Sequence, residues 1–374
     1  MKPPFVPFIL EREMSIWENQ VAYNLSESGV HPLTIRELVQ DPEILEDLLT
    51  TELTYPQTNG TIELRERIAG LYEGASSQNV LVTTGAAQAN FATILTHLQA
   101  GDEIVVMLPN YMQIWGIAMN FGLNVKTFSL KEELGWAIEA ENFERTVSER
   151  TKLIAICNPN NPTGHILSET EMDLIIRTAD RVGAWILADE VYAGAEREIE
   201  QITPSFWNRY ERVFAIGSLS KAYGLPGLRL GWVVTTPQKA DEIWSRQDYI
   251  TISTTMLANK LAAYALSADV RPRIISRTRK MIREGYQNFE LWRSKHPDLF
   301  DLVPPQAAAV AFVRYMREIN SSELVNRLRE EKQTYIVPGD HFGIDHHLRI
   351  SYGLPKDYLN EGLERLYQVI TSVD

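Results

Sequence analysis

An α/β fold is what this sequence predicts: a seven-stranded, mostly parallel sheet covered by helices on both faces, followed by a smaller α+β part. Three observations carry the prediction. Between residues 80 and 234, seven short apolar runs recur, separated by helical stretches. Most runs are continuously hydrophobic rather than alternating, as befits strands buried on both faces of a parallel sheet. From about Ser267 the rhythm changes to one long helical stretch followed by short strand-like pieces, which marks a second unit.

Taken in order, Pro3, Pro4 and Pro7 oppose early helix, so residues 1–30 read as an extended arm. Asn24 to Val30 is dense in hydroxyls and turn formers. Helical periodicity spans Thr34 to Leu49, with Asp41-Pro42 punctuating it, and a further helix opens at Thr61 after the loop containing Tyr55-Pro56 and Gly60. The seven strand candidates are Val80–Val82, Ile104–Met107, Val125–Phe128, Leu153–Ile156, Trp185–Ala188, Val213–Ile216 and Leu230–Val234. A helix from Arg271 to Arg293, strands at Ala309–Val313, Tyr335–Val337 and Leu348–Tyr352, and helices near Glu323–Glu330 and Leu359–Val373 compose the smaller unit. The expected division is an arm with the first helix at 1–50, associated with the small domain, a large domain at 51–266 and a small C-terminal domain at 267–374.

Composition narrows the function classes. The chain has 374 residues, 44% hydrophobic and 23% charged, which is globular. Its net charge of −13 argues against nonspecific binding to nucleic acid or anionic membranes. No apolar run reaches the roughly 18 residues of a membrane helix, and the N-terminus lacks a leader pattern, so a cytoplasmic protein is expected. The single cysteine, Cys157, excludes an intrachain disulfide and a cysteine-rich metal site; its apolar run reads as the setting of a buried structural thiol. No metal is expected.

In a parallel α/β sheet, ligands bind beyond the carboxyl ends of the strands. Chemistry gathers there in this sequence. Gly85-Ala86-Ala87-Gln88 lies between a strand and a helix start, where free backbone N–H groups bind phosphate. Tyr111 follows the second run and can stack on a flat ring or simply pack. In Asn158-Pro159-Asn160-Asn161-Pro162-Thr163-Gly164 the backbone is strongly constrained, which suits aiming the Asn161 amide at a ligand oxygen; Asn161–Pro162 is a candidate cis bond. Asp189 ends a buried run, and a buried carboxylate demands a cation or a strong donor such as a protonated pyridine nitrogen. Tyr192, three residues on, can donate to an oxygen on the same ring. In Ser218-Leu219-Ser220-Lys221, the lysine sits between two apolar runs, a setting that lowers an amine's pKa and suits Schiff-base and proton-transfer work. Arg229 returns a fixed positive charge eight residues later, and an anion between the two would satisfy both. Arg349 is a charge inside an apolar strand pattern, placed for a substrate carboxylate or for a structural ion pair.

Together these residues resemble the class I/II aminotransferases, the fold-type-I pyridoxal-phosphate enzymes, from about Tyr55 to the C-terminus. The motifs carrying the resemblance are Asn-Pro-x-Asn-Pro-Thr-Gly, Asp-Glu-x-Tyr, Ser-x-Ser-Lys with its later arginine, and Leu-Arg-Ile-Ser. The resemblance implies pyridoxal 5'-phosphate as cofactor. Lys221 is then the lysine that carries it as an imine and shuttles protons, and Asp189 the partner of the ring nitrogen. Asn161 and Tyr192 meet the ring oxygen, and Tyr111 stacks on the ring. Phosphate is held by the Ala86 and Ala87 amides, Ser218 and Arg229. Arg349 binds the substrate α-carboxylate. Tyr55 reaches the phosphate of a neighbouring subunit, so a homodimer with shared sites is expected. The implied activity is chemistry at Cα of a free L-amino acid through an external aldimine and quinonoid, with transamination as the default. The arm, Asn24-Leu25-Ser26-Glu27-Ser28-Gly29-Val30-His31, departs from the common family pattern. It is similar to that of capreomycidine- or enduracididine-synthase-like enzymes of specialised metabolism, which eliminate and cyclise a hydroxylated arginine; there Glu11, Glu27 or another arm carboxylate would grip a guanidinium. A regulator on the same body would need a winged-helix domain, and only about 50 acidic-chain residues precede the body. A plain nucleotide-binding protein would need a Gly-x-Gly-x-x-Gly or Walker loop, which the sequence lacks.

Overall fold

The computed structural model describes residues 5–373; Pro3 and Pro4 lie outside them. All seven apolar runs form strands of one sheet. They are β1 (Val80–Thr83), β2 (Glu103–Leu108), β3 (Asn124–Lys131), β5 (Thr151–Cys157), β6 (Trp185–Asp189), β7 (Val213–Ser218) and β8 (Gly231–Val234). A two-residue eighth strand, β4 (Ala137–Ile138), pairs antiparallel with β3 and is too short to leave an apolar run. The order is β1-β8-β7-β6-β5-β2-β3-β4. Pairings among β7, β6, β5, β2 and β3 are parallel, whereas β8 runs antiparallel to both β7 and β1.

Successive side chains of a strand face opposite ways, and here both faces are covered. Leu81, Ile104, Leu153, Leu187, Phe214 and Val233 pack into one apolar layer, and Val82, Val105, Ile154, Ile186, Ala215 and Val234 into the other. This double burial is the cause of the continuous apolar runs. It also leaves the strand ends as the place where polar groups gather.

The C-terminal part holds a four-stranded antiparallel sheet in the order β9 (Phe300–Asp301), β10 (Val310–Tyr315), β12 (His347–Ser351), β11 (Val337–Pro338). The arm is stitched to it. Tyr23–Asn24 pairs in parallel with Thr334–Tyr335, and the Ser351 N–H donates to the Leu25 carbonyl at 2.9 Å. We propose residue 266 as the end of the large domain, just before the long helix Val270–Arg293.

The arm corrects one expectation. Residues 9–17 are not extended but form the helix Ile9–Trp17. The prolines all precede it, and Leu10, Met14 and Trp17 fall at helical spacing. Leu10 and Met14 are buried, and the Arg329 guanidinium stacks on the Trp17 ring at 4.0 Å.

Helix Val270–Arg293 fastens the two parts together. At Gly285 it comes so close to the end of the small sheet that a Cβ would lie 1.9 Å from the Tyr352 carbonyl oxygen. The same helix carries Arg279, whose guanidinium pairs with the fully buried Glu196 of the large part. Because the backbones touch at Gly285, Gly285→Ala forces helix and strand apart. Urea unfolding should show a loss of about 3 kcal/mol, the upper range for overpacking; an unchanged midpoint would contradict this contact.

Candidate active site

The carboxyl edge of the large sheet opens into a cavity of about 370 Å³. Sheet register brings its floor together: Cys157 at the end of β5 pairs with Asp189 at the end of β6, and Asp189 pairs with Ile216 of β7. Lys221 follows β7 at the start of a tight turn, closed by the Gly224 N–H on the Lys221 carbonyl at 3.2 Å, with Gly224 at φ +62. Lys221, Asp189, Tyr192, Asn161 and Tyr111 all line the cavity, as do Ala86, Ala87, Ser218 and Arg229. Glu11 and Glu27 of the arm line it from the outside.

One end of the cavity is an anion cradle. Helix Gly85–His97 begins there, and Thr84 before it makes no side-chain cap, so the first-turn amides are left for a ligand. Bare backbone is required at this junction. A Cβ on residue 85 would lie 2.8 Å from an Arg229 guanidinium nitrogen, and one on Gly231 would lie 2.5 Å from the Ala86 nitrogen. Ser218 Oγ accepts the Ser220 N–H at 2.9 Å and lies 3.0 Å from Ser220 Oγ, presenting hydroxyls beside Arg229.

The floor is a set of polar groups short of partners. Asp189 is 6% exposed. It accepts from Asn90 Nδ2 at 3.1 Å and from the Val191 N–H at 3.3 Å, and among the described residues it has no ion-pair partner. Burial pushes its carboxyl up, while the Asn90 hydrogen bond pulls the other way. The Lys221 ammonium is pushed down, first by burial, with Arg349 and Arg229 adding to the effect and Glu27 and Glu11 opposing it. The buried Tyr192 hydroxyl and Asn90 Oδ1 have no hydrogen-bond partner.

Arg349 does not line the cavity itself. It stands buried behind Asn161, donating from Nη1 to Asn161 Oδ1 at 3.1 Å and from Nη2 to the Ser26 carbonyl at 2.5 Å, while its buried Nε has no partner. It has no carboxylate partner among the described residues, so the structural ion pair is not formed. Because Asn161 Oδ1 faces Arg349, its Nδ2 is the atom left to donate. Asn161–Pro162 is cis. Tyr55, 81% exposed, is absent from the lining of its own chain's cavity.

Some lining residues went unread in the sequence. Asn90, 1% exposed, falls one helical turn beyond Ala86, and an asparagine at that spacing in a largely apolar helix is the signal that could have found it. Glu18 left no such signal, because only the helix Ile9–Trp17 brings it to the cavity. Cys157, expected as a structural thiol, is buried, lies 3.2 Å from the Pro159 carbonyl and also lines the cavity.

These features fit pyridoxal phosphate. The uncapped amides, hydroxyls and Arg229 suit a phosphate, the uncompensated Asp189 suits a protonated ring nitrogen, and the orphan Tyr192 hydroxyl suits a ring oxygen. Fold and site together define a fold-type-I pyridoxal-phosphate-dependent enzyme. The chain belongs to the aminotransferase class I and II family, whose model matches residues 25–366. It is 28% identical to a capreomycidine synthase from Streptomyces vinaceus over 92% of this chain and 88% of that protein. It is 30% identical to an aspartate aminotransferase from Thermococcus kodakarensis over 90% of this chain and 84% of that one. Among solved structures, a PLP-dependent aminotransferase from Streptococcus suis superposes with a TM-score of 0.92 at 29% identity, covering 99% of both chains. No helix among the described residues is long and apolar enough to cross a membrane.

Beside Asp189, the buried Glu190 accepts from Ser205 Oγ at 2.8 Å and the Phe206 N–H at 2.9 Å. Burial, with a smaller push from Asp189, raises its carboxyl to about 8. A raised carboxyl keeps its proton in the folded state after the unfolded chain has lost it. Its contribution to stability is therefore full at acid pH and is lost as the pH climbs through about 8. Glu190→Gln keeps an acceptor but cannot titrate. Urea unfolding of the apoprotein from about pH 5 to about pH 9 should show the variant gaining steadily on the wild type; a constant difference would contradict a raised Glu190.

Proposed function

We propose that this chain acts at Cα of a free L-amino acid bearing a cationic side chain, and that amino transfer is the reaction. The observation carrying this reading is the outer wall of the cavity. Glu11, Glu18 and Glu27 line it, and among the described residues none has an ion-pair partner. Burial and the charges of Glu27 and Glu11 push the Glu18 carboxyl up. A guanidinium or ammonium group would relieve that repulsion, whereas a second substrate carboxylate would add to it.

Position supports the cofactor roles. The Ala86 and Ala87 amides, Ser218 and Arg229 would hold the phosphate. Asp189 keeps a proton on the ring nitrogen, and Tyr192 and the Asn161 amide donate to the ring oxygen. Once bound, the cofactor supplies an electron-accepting ring conjugated to the substrate's Cα. Arg349 would take the α-carboxylate; its unpartnered Nε and the lack of any carboxylate partner among the described residues support this role, with the substrate reaching it past Asn161. Lys221, with its amine pushed toward the neutral form, removes the Cα proton, a general-base contribution of about 10²–10⁴-fold, and returns a proton one atom away for amino transfer. We also propose a homodimer. Leu49, Leu53, Tyr55 and Tyr249 are strongly exposed apolar or aromatic residues, and Tyr249 lies near Thr251, which accepts from Gln88, next in sequence to the cavity-lining Ala87.

A second reading is supported by the similarity to a capreomycidine synthase over nearly the full chain. In it the same wall grips a hydroxylated arginine, and Lys221 serves elimination and cyclisation instead.

Incubating the holoenzyme with arginine, hydroxyarginine, ornithine, lysine or aspartate, plus 2-oxoglutarate or pyruvate, separates these readings. Amino transfer from the cationic donors and little from aspartate is expected. Loss of water from a hydroxyarginine without amino transfer would overturn the amino-transfer reading, and preference for aspartate would overturn the charge assignment. Glu18→Gln and Glu27→Gln should each raise KM for the cationic donor roughly 3- to 10-fold with little change in kcat, as loss of a hydrogen bond to a charged group does.

A further inference from the structure

The arm helix Ile9–Trp17 touches both parts of the molecule. Toward the small domain, Met14 Sδ meets Arg349 Nη2 at 3.7 Å and the Trp17 ring carries the Arg329 guanidinium at 4.0 Å. Toward the large domain, Val6 exchanges two hydrogen bonds with the Asn120 side chain, its N–H to Oδ1 at 2.8 Å and Nδ2 to its carbonyl at 2.9 Å. Phe8 meets the Tyr111 ring edge-on at 5.0 Å. The Tyr111 hydroxyl donates to Glu11 Oε1 at 2.5 Å, and its backbone N–H is held by Asn110 Oδ1 at 2.7 Å.

Tyr111 is thus fixed at its backbone, its ring and its hydroxyl. A tyrosine at a cavity wall otherwise turns about its side-chain torsions, and a ring that turns offers no stable face to a flat ligand. Burial, reinforced by the Glu11 charge, keeps the phenol protonated, so the hydroxyl stays the donor in this pair. Glu11 has no cation among the described residues, which leaves this hydroxyl as its protein partner.

We propose that Glu11 is a positioning residue for the cofactor: by holding the Tyr111 hydroxyl it sets the aromatic wall of the cavity and couples cofactor retention to docking of the arm helix. The inference rests on Tyr111 being the ring that faces the cofactor. Coupling of this kind is reciprocal, so a bound cofactor must also hold the arm down. Arg12, exposed and next to Glu11, reports the arm's state as a trypsin site.

The test titrates apoenzyme with pyridoxal phosphate, following tryptophan fluorescence, for the wild type, Glu11→Leu, Tyr111→Phe and the double variant. Each single change should weaken binding roughly tenfold, as loss of a hydrogen bond to a charged group does, and the double should be no weaker than either single. Pyridoxal phosphate should slow tryptic cleavage after Arg12 in the wild type and not in Glu11→Leu. Asn120→Ala, which loosens the arm without touching the cavity, should speed that cleavage in the apoenzyme and weaken cofactor binding. Unchanged affinity in Glu11→Leu, or additive effects of the two substitutions, overturns the proposal alone. A wild-type chain that fails to bind pyridoxal phosphate overturns it together with the cofactor reading.

Discussion

A carboxylate and an amine held out of water at one sheet edge, without pairing to each other, are the constraint on which the molecule depends. Asp189 and Lys221 both suffer desolvation, and each is pushed toward its neutral form. Left to themselves such groups destabilise a fold, because burial of an unpaired charge is among the costliest local arrangements. They persist because the register of β5, β6 and β7 delivers them to fixed places, and because the close-packed apolar layers on both sheet faces oppose any shift. The strain is local, and under the proposed function a ring with a protonated nitrogen and an aldehyde carbon would answer both groups.

The second part of the chain completes the site rather than adding a separate one. Arg349 comes from β12 of the small sheet, yet its guanidinium reaches Asn161 of the large part and Ser26 of the arm. Gly285 and the Glu196–Arg279 pair press the long helix against both parts, so Arg349 is aimed by packing rather than by a loop. The arm closes the remaining side and brings Glu11, Glu18 and Glu27 to the cavity. In the proposed function, cofactor contacts come from the large sheet and substrate contacts from what the arm and small domain lay over it.

Most of the large sheet was legible in the sequence because parallel strands buried on both faces have little choice of composition; the runs at Ile104–Met107 and Leu153–Ile156 carry no other reading. The floor of the site was legible for a related reason. Asp189 and Lys221 are charges where the pattern calls for apolar residues, and Asn161 sits in a loop whose prolines leave the backbone few conformations. The arm was harder. Three prolines suggested extended chain, but all of them precede Ile9, and the helical spacing of Leu10, Met14 and Trp17 is too short a pattern to stand out beside them. Glu18 was missed with that helix. Asn90 was missed although its spacing from Ala86 was visible, because its importance depends on Asp189, 99 residues away in the chain.

Borohydride reduction of the protein loaded with pyridoxal phosphate, followed by peptide mapping, tests the central claim most directly. Reduction should fix one pyridoxyl group per chain on the peptide that contains Lys221, and Lys221→Ala should abolish the fixation while leaving the protein folded. A pyridoxyl group fixed on a different lysine, or none fixed under conditions where the cofactor binds, would contradict the site described for this chain.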